Sequence, residues 1–388
     1  MRKIYVDLRY AFGVANKSGK FNGGYKGCQR LIDVVAKKKD EKTILSILVN
    51  PGMYNTVRNV LKLSENIHVN YIEIDNLCGL QIKNDDLLWI PLVNDAKDYA
   101  TEIENFRLKN STTPIIIHLH DRRHKYLQFD KYDSILSSGI KKISLVFFMG
   151  KYIRSFQIDH VVKRICRCAD MVFTVSNYSM QCLNSMKEVK NINLYFQGVL
   201  SDCCNEKNQN YLLFVSAGRP EKNFMRTLDA FIRYLRKDNN PEVKLVATGL
   251  NERQIRIITS RLKENEKEFI ILKGYVDENE LNDLYSRCRA LVFTSKNEGF
   301  GMPVLEALYH HKPSVVSWSS SIPEVLGSIG IYVNPLDEGS IENGITKIMN
   351  DDYYQNLLRL VDLKLEIVKK QIELDDEVLV NTILNYKK

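Results

Sequence analysis

The stretch NEGFGMPVLEAL (297–308) holds two carboxylates, Glu298 and Glu306, separated by seven residues, with Gly299 and Gly301 between them. Just upstream, ALVFTS (290–295) is a short apolar run of the kind that forms a buried parallel strand, and Pro303 marks the start of a helix. Strand, turn and helix in that order present backbone N–H groups that lack partners inside the helix, and an anion such as a diphosphate can accept them. Glycine has no Cβ, so Gly299 and Gly301 permit a sharp bend and the close approach of a ligand. Glu306 falls about one turn into the helix, where side chains lean toward the N-terminus, and its carboxylate reaches back to the same place. The purely structural account of the same residues is a solvated loop glutamate and a second glutamate favoured by the helix dipole.

A second charged cluster follows the run YLLFVSAG (211–218): Gly218, Arg219, Pro220, Glu221, Lys222 and Asn223, ahead of a helical pattern from Phe224. The dipole disfavours cations at a helix N-terminus, and a bound anion removes that conflict. A fixed guanidinium and ammonium would stabilise charge building on a departing diphosphate without a metal.

These segments need a scaffold that brings loops to one edge. Apolar strand-like runs alternate with helical patterns along the whole chain: KIYVDL (3–8), TILSILV (43–49), VNYIEI (69–74), LLWIPL (87–92), PIIIHL (114–119), SLVFFM (144–149) and MVFTVS (171–176). A second series comprises YLLFVSAG (211–218), VKLVATG (243–249), FIILKG (269–274), ALVFTS (290–295) and SVVSW (314–318). Such βα order predicts an α/β chain of two Rossmann-like, doubly wound domains with mostly parallel sheets. Open α/β sheets bind ligands outside the carboxyl ends of their strands, where all the candidate residues fall. The polar, aperiodic stretch GVLSDCCNEKNQN (198–210) gives the division: 1–198, a linker at 199–210, 211–370, and a C-terminal helix at 371–388.

At 388 residues, with 44% apolar and 26% charged residues, the chain suits two globular domains. MRKIYVDLRY opens in a strand pattern rather than a signal peptide, and no run reaches the ~18 apolar residues that span a bilayer, so a cytoplasmic location is expected. Eight cysteines without paired spacing indicate neither a disulfide framework nor a zinc pattern. The net charge of +8 is concentrated in 121–168, with eleven Lys or Arg against four Asp. That segment includes SLVFFMGKYIRSF (144–156), where aromatic and apolar residues alternate with cations; anionic lipid and a solvated helix face are both open as explanations. No nucleic-acid module accompanies the basic residues, so nucleic acid is not an expected partner.

Glu298 and Glu306, continued by HHKPSVVSWSSSIPEVLGSIGIYVNP (310–335), resemble the donor site of family-4 retaining glycosyltransferases, the glycosyl transferases group 1, which have the GT-B fold of two such domains facing across a cleft. The resemblance implies that Glu298 contacts the transferred sugar, that Phe300, Gly301 and Met302 contact sugar and phosphate through their backbone, and that Glu306 holds the nucleotide ribose. GRPEKN (218–223) resembles the family's donor-phosphate element, which implies Arg219 and Lys222 on the diphosphate with Gly218 and Asn223 beside them. Thr248 and Gly249 close one strand; Tyr275, Val276 and Asp277 close another, and the resemblance implies that Val276 meets the nucleotide base. SSSIPE (319–324) begins a helix, with Ser320 or Ser321 available as its cap.

In the first half, which the resemblance makes the acceptor-binding domain, Gly23 and Gly24 form a diglycine turn ahead of a helical pattern from Tyr25, facing the donor phosphates by resemblance. HLHDRRHK (118–125) carries His120 and Asp121, which match the family's His-Asp position near the transferred sugar, and His118 alternates onto the face of His120. His118, His120 and His124 lack the Cys or Glu partner of a familiar zinc spacing. Gly13 to Lys20 departs from a P-loop: five residues intervene instead of four, and Phe21 replaces the magnesium-holding Ser or Thr.

The expected activity is retaining transfer of a sugar from a nucleotide diphosphate sugar to a hydroxyl of a glycan or lipid-linked acceptor, in bacterial surface polysaccharide synthesis. No cofactor or obligatory metal is expected, and no Asp-x-Asp occurs. Peripheral contact at the inner face of the membrane, through 121–168, goes with that expectation. The alternatives are another GT-B enzyme, an epimerase or a phosphorylase, and a catalytically silent sugar-binding subunit. Donor base, acceptor and oligomeric state are not encoded legibly.

Overall fold

The computed structural model describes residues 1–10, 23–61, 63, 67–93, 95–120, 132–133, 135–138, 145–196, 198, 209–237 and 242–387. Asp121, the P-loop-like stretch, His124 and nearly all of the expected linker lie outside these residues. The chain divides into two units: Met1–Lys125 with Ile153–Leu200 and Lys370–Lys388, and Tyr126–Tyr152 with Ser201–Lys369.

In the first unit six of the seven apolar runs become strands, β1 (Arg2–Asp7), β2 (Thr43–Val49), β3 (Asn70–Glu73), β4 (Leu87–Ile90), β5 (Ile115–His118) and β6 (Met171–Thr174), and a seventh strand, β7 (Ile192–Leu194), was not expected. They form a parallel sheet in the order β3-β2-β1-β4-β5-β6-β7. Both faces are covered, which is why its strands read as continuous apolar runs. Alternation along the strands separates two cores. Ile4, Val6, Trp89 and Ile116 pack with Leu31, Ile32 and Val35 of the helix Gly23–Lys38. Tyr5, Leu88, Ile115 and Ile117 pack with Ile103 and Phe106 of the helix Lys97–Lys109, and with Val161, Val162 and Ile165 of the helix Leu145–Cys168.

The second unit repeats the plan with six strands: β8 (Tyr211–Phe214), β9 (Lys244–Ala247), β10 (Ile270–Leu272), β11 (Ala290–Phe293), β12 (Ser314–Ser317) and β13 (Ile331–Val333). The parallel order is β10-β9-β8-β11-β12-β13. Strand order reverses between β8 and β11, so the crevice outside their carboxyl ends is the place for a ligand.

Four further features differ from the sequence expectations. SLVFFM (144–149) is not a strand, because Leu145–Cys168 is one helix and β5 pairs directly with β6. The run continues into Tyr152, Ile153 and Phe156, which with Met149 follow a helical period that the single Gly150 does not interrupt. Gly23 and Gly24 do not precede a helix but are its first two residues. The C-terminal helix is not separate: Asp351–Asn385 is continuous, with no Gly or Pro to stop it. Finally, Tyr126–Tyr152 groups with the second unit rather than with the rest of 1–198. Tyr132 donates a hydrogen bond to Glu338 and lies under the Arg226 guanidinium at 4.3 Å, and the Asp133 carboxylate meets Lys296 Nζ at 2.7 Å.

From Lys370 onward the long helix belongs to the first unit, and Leu379, Val380 and Ile383 enter its core. Arg30 forks onto Asp376 at 2.8 and 2.5 Å, Tyr195 donates to the same carboxylate at 2.9 Å, and the Phe196 N–H donates to Asp375 at 2.7 Å. A Leu379→Ala substitution at this fully buried position is expected to cost about 3 kcal/mol of the first unit's stability. Urea denaturation followed by circular dichroism measures it, and a loss below about 1 kcal/mol would show that the helix end is not part of this core.

Candidate functional site

Two loops leave the carboxyl ends of the paired neighbours β8 and β11. The first carries Ser216, Gly218 and Arg219 into a single 3-10 turn, Pro220–Lys222, followed by the helix Phe224–Lys237. The second runs from Thr294 through Gly301 into the helix Met302–Tyr309. Their side chains meet: Lys222 Nζ donates to Glu298 Oε1 at 2.5 Å, and both side chains are about 95% removed from solvent. The same ammonium stands 4.6 Å from the centre of the Phe293 ring. Thus two of the expected site residues, 76 positions apart, form one buried ion pair.

The conflict expected between cations and a helix N-terminus is resolved by carboxylates of the chain itself. Lys222 has Glu298, and the half-exposed Arg219 pairs with Glu221 at 2.5 Å. Burial pushes the Glu221 carboxyl up, but the Arg219 charge and hydrogen bonds outweigh it and hold the group below the usual carboxylate range.

Backbone geometry at the site is specialised. Gly301 caps the helix Met302–Tyr309 with φ +104°, a conformation that side chains with a Cβ rarely adopt. Among the described residues, the non-glycine positions of positive φ are Ser216, Asn223, Ser320 and His311; Ser216 and Ser320 lie shortly after β8 and β12, and Asn223 ends the 3-10 turn Pro220–Lys222. Asn223 is held there because its amide donates to the carbonyls of Thr294 (3.2 Å) and Pro335 (2.6 Å). A Cβ on Gly218 would fall 2.5 Å from the Gly249 carbonyl oxygen, and Gln254 Nε2 donates to the Gly218 carbonyl at 2.9 Å. Gly249 itself has φ +83°.

The serines after β12 do something the sequence did not disclose. Ser321 occupies the N-cap position of the helix Ile322–Leu326, but no side chain caps that helix. Instead Ser317, Ser319 and Ser321 donate to the carbonyls of Ser295 (2.6 Å), Lys296 (2.7 Å) and Glu298 (3.0 Å), and Ser320 Oγ accepts from the Glu298 N–H at 2.8 Å. Hydroxyls at this spacing thread the loop that carries Glu298, residue by residue. On its other side the Glu221 carbonyl accepts from Lys296 N–H (2.9 Å) and Ser295 Oγ (3.1 Å).

Glu306 lies on the helix Met302–Tyr309, half-buried, and accepts from Tyr285 Oη at 2.9 Å. Tyr285 stacks on His310 with ring centres 5.5 Å apart. Burial, reinforced by the Glu306 charge, raises its phenol well above the usual value, so it remains a donor. Gly299 and Phe300 complete the loop ahead of Gly301 and Met302, with Phe300 buried. Val276 is half-buried after β10, beside the exposed Tyr275, and Asp277 caps the helix Glu278–Arg287. Tyr285, Lys296, Asp133 and the serine run were not singled out from sequence as site residues; the run SWSSS was the available signal.

In the first unit His120 is the second residue after β5 and is half-buried. His118 is a core residue rather than a second site histidine: it stacks on Phe173 at 5.0 Å, and burial, with the neighbouring His120, holds its pKa well below the ordinary value. Gly23 and Gly24 begin their helix. Among the described residues no group of three or more His, Cys, Asp or Glu side chains could hold a metal ion.

Residues 204–360, which include both loops, match the family of glycosyl transferases group 1. These residues are a group 1 glycosyl transferase domain. The chain is 25% identical over 280 residues to O-antigen chain mannosyltransferase B of Escherichia coli, covering 68% of this chain and 69% of that one. It is 30% identical over 202 residues to O-antigen chain mannosyltransferase RfbU of Salmonella typhimurium, covering 52% of this chain but only 56% of that relative's length. The structure of Anabaena Alr3699/HepE in complex with UDP-glucose is similar at TM-score 0.64 and 15% identity, over 99% of this chain and all of the other. The two-domain fold is that of GT-B glycosyltransferases.

Gly218→Ala would press a Cβ against the Gly249 carbonyl, a backbone atom that cannot swing aside. The variant is expected to lose about 1–3 kcal/mol of stability in thermal denaturation; an unchanged midpoint would show that the loops after β8 and β9 are not in contact.

Proposed function

We propose that this glycosyltransferase moves a sugar, with retention of anomeric configuration, from a nucleotide diphosphate sugar to a hydroxyl of a growing surface polysaccharide or its lipid-linked precursor. The buried Lys222–Glu298 pair at the strand-order reversal carries this reading. It joins a cation suited to a departing diphosphate with a carboxylate suited to sugar hydroxyls, in a site dry enough for both to act strongly. The names of the two bacterial relatives favour mannose as the sugar and O-antigen-type polymers as the product.

When the donor enters, its phosphates replace Glu298 as the partner of Lys222, and the carboxylate is released to the sugar. Arg219, half-exposed, turns from Glu221 to the same diphosphate. Glu306, held by Tyr285, receives the ribose hydroxyls, and the N-terminus of the helix Met302–Tyr309 faces the phosphates through Phe300, Gly301 and Met302. Gly218 and Gly249 leave room for the donor to approach the backbone, and Val276 meets the base. The resemblance assigns His120 and Asp121 to the transferred sugar and Gly23 and Gly24 to the phosphates. The leaving phosphate accepts the proton of the incoming hydroxyl on the same face, so neither a carboxylate base nor a metal is required.

The expected result is that GDP-mannose, in the presence of a chelator, raises the thermal midpoint, with UDP, ADP, CMP and dTDP sugars as comparators. A ligand at ~100 times its Kd adds about 2.7 kcal/mol, a shift of several degrees. Lys222→Ala and Glu298→Ala are expected to keep the fold and lose turnover; full activity in either, or an epimerised or phosphorolysed product, would overturn the assignment.

A lipid-linked acceptor is supported by the helix Leu145–Cys168. Met149, Tyr152, Ile153 and Phe156, at helical spacing, are 55, 71, 55 and 71% exposed, and Arg154 beside them is exposed too. No helix among the described residues is long and apolar enough to cross a membrane, so this stripe would lie on an anionic surface. Phe156→Ser with Tyr152→Ser is expected to reduce co-sedimentation with phosphatidylglycerol vesicles at low salt several-fold. Equal binding by wild type and variant would remove the membrane contact.

A further inference from the structure

Asp133 lies in the connection that follows β5, far in sequence from the donor loop, yet its carboxylate meets Lys296 Nζ at 2.7 Å. The two side chains are 4% and 1% exposed, the most buried ion pair of the second unit among the described residues. Lys296 is two residues before Glu298. Its N–H donates to the Glu221 carbonyl and its own carbonyl accepts from Ser319 Oγ, so backbone and side chain are fixed from three directions. Two of those directions come from loops of the same sheet. The third comes from outside it, through Asp133.

The neighbour Tyr132 anchors this contact. It donates to Glu338 and lies under Arg226, whose guanidinium donates to Asn223 Oδ1 and to the Pro335 carbonyl. Asn223 directly follows Lys222. The dipeptide Tyr132-Asp133 therefore touches the supports of both members of the Lys222–Glu298 pair: Asp133 through Lys296, Tyr132 through Arg226 and Asn223.

We propose that Asp133 is a positioning residue for glycosyl transfer, which sets the place of Glu298 by neutralising and fixing the Lys296 ammonium; this rests on the donor-site reading above. A buried ammonium must keep an acceptor, so when Asp133 loses its charge Lys296 turns toward another carboxylate or water, and the backbone that bears Glu298 moves with it. In sequence Asp133 follows His120 by thirteen positions, so the residues assigned to the sugar and the support of the donor loop belong to one stretch of chain. The donor carboxylate is in this way placed by a piece of the chain that precedes the donor domain in sequence.

The test compares wild type, Asp133→Asn, Asp133→Glu and the double variant Asp133→Asn/Lys296→Met in the full chain. Two readouts are taken well below the thermal midpoint: hydrogen exchange of the Lys296 and Glu298 amides without substrate, and kcat and donor KM. Asp133→Asn is expected to speed exchange at both amides and to lower kcat by about 10–100-fold, as for a misplacement of reacting groups near 1 Å. Asp133→Glu is expected to recover part of kcat. The double variant, free of an unpaired charge, is expected to regain thermal stability while kcat stays low. Unchanged exchange in Asp133→Asn, or full turnover in the double variant, would overturn the proposal and leave the pair a stability element. Faster exchange in a protein whose wild type transfers no sugar would leave the tether standing and sink the functional reading instead.

Discussion

The donor loop is built around ions that have been taken out of water, and every support near it follows from keeping them paired. Lys222, Glu298, Lys296 and Asp133 are each 4% exposed or less. Removing such an ion from water costs several kcal/mol, and only close pairing with further hydrogen bonds offsets it. Each charge is therefore confined to a narrow set of positions. A flexible loop could not hold the four of them, so the backbone is tied down instead: Ser317, Ser319, Ser320 and Ser321 on one side, the Glu221 carbonyl on the other.

Sheet topology supplies the starting point for that arrangement. Because β8 and β11 are neighbours although far apart in sequence, the loops that leave them begin side by side, and Lys222 reaches Glu298 with no long excursion of either chain. Regular structure then stops abruptly. Ser216 and Ser320 accept positive φ within a few residues of their strands and Asn223 does so at the end of the 3-10 turn, conformations that cost of order 1–3 kcal/mol each. Such strain persists where surrounding contacts over-determine it, and here they do: the Asn223 amide holds two carbonyls and Ser320 Oγ holds the Glu298 N–H.

The parallel sheets were legible in the sequence because a strand buried on both faces must be apolar throughout, and TILSILV at 43–49 became β2 without the shift of a residue. The same rule misled at SLVFFM. An apolar run of that length fits a strand or a helix, and only the period of the residues beyond it separates the two. The glutamate pair and the Gly-Arg-x-x-Lys-Asn element could be read because their chemistry lies in residue type and local spacing. Asp133 and Tyr285 could not, since their partners are distant in sequence and a lone Asp or Tyr carries no spacing. The serines were visible but looked like a helix cap: hydroxyls ahead of Pro323 fit a cap as well as a loop clamp, and the tertiary neighbour decided it.

Buried ion pairs are poor devices for stability alone. Apolar side chains of similar volume would do as well or better at the same positions. Two such pairs held by one short loop are thus hard to explain by folding, but they suit a site that must receive a doubly charged ligand without rebuilding itself. In the unliganded chain Glu298 supplies the negative charge that Lys222 needs. In the proposed reaction a diphosphate arriving there would bring its own, and the exchange of one anion for another would leave the ammonium satisfied throughout. Lys296 and Asp133 take no part in that exchange; their charges cancel with or without ligand. They are suited to hold the backbone still while the neighbouring pair opens, which is why the two ion pairs, alike in burial, have different work to do.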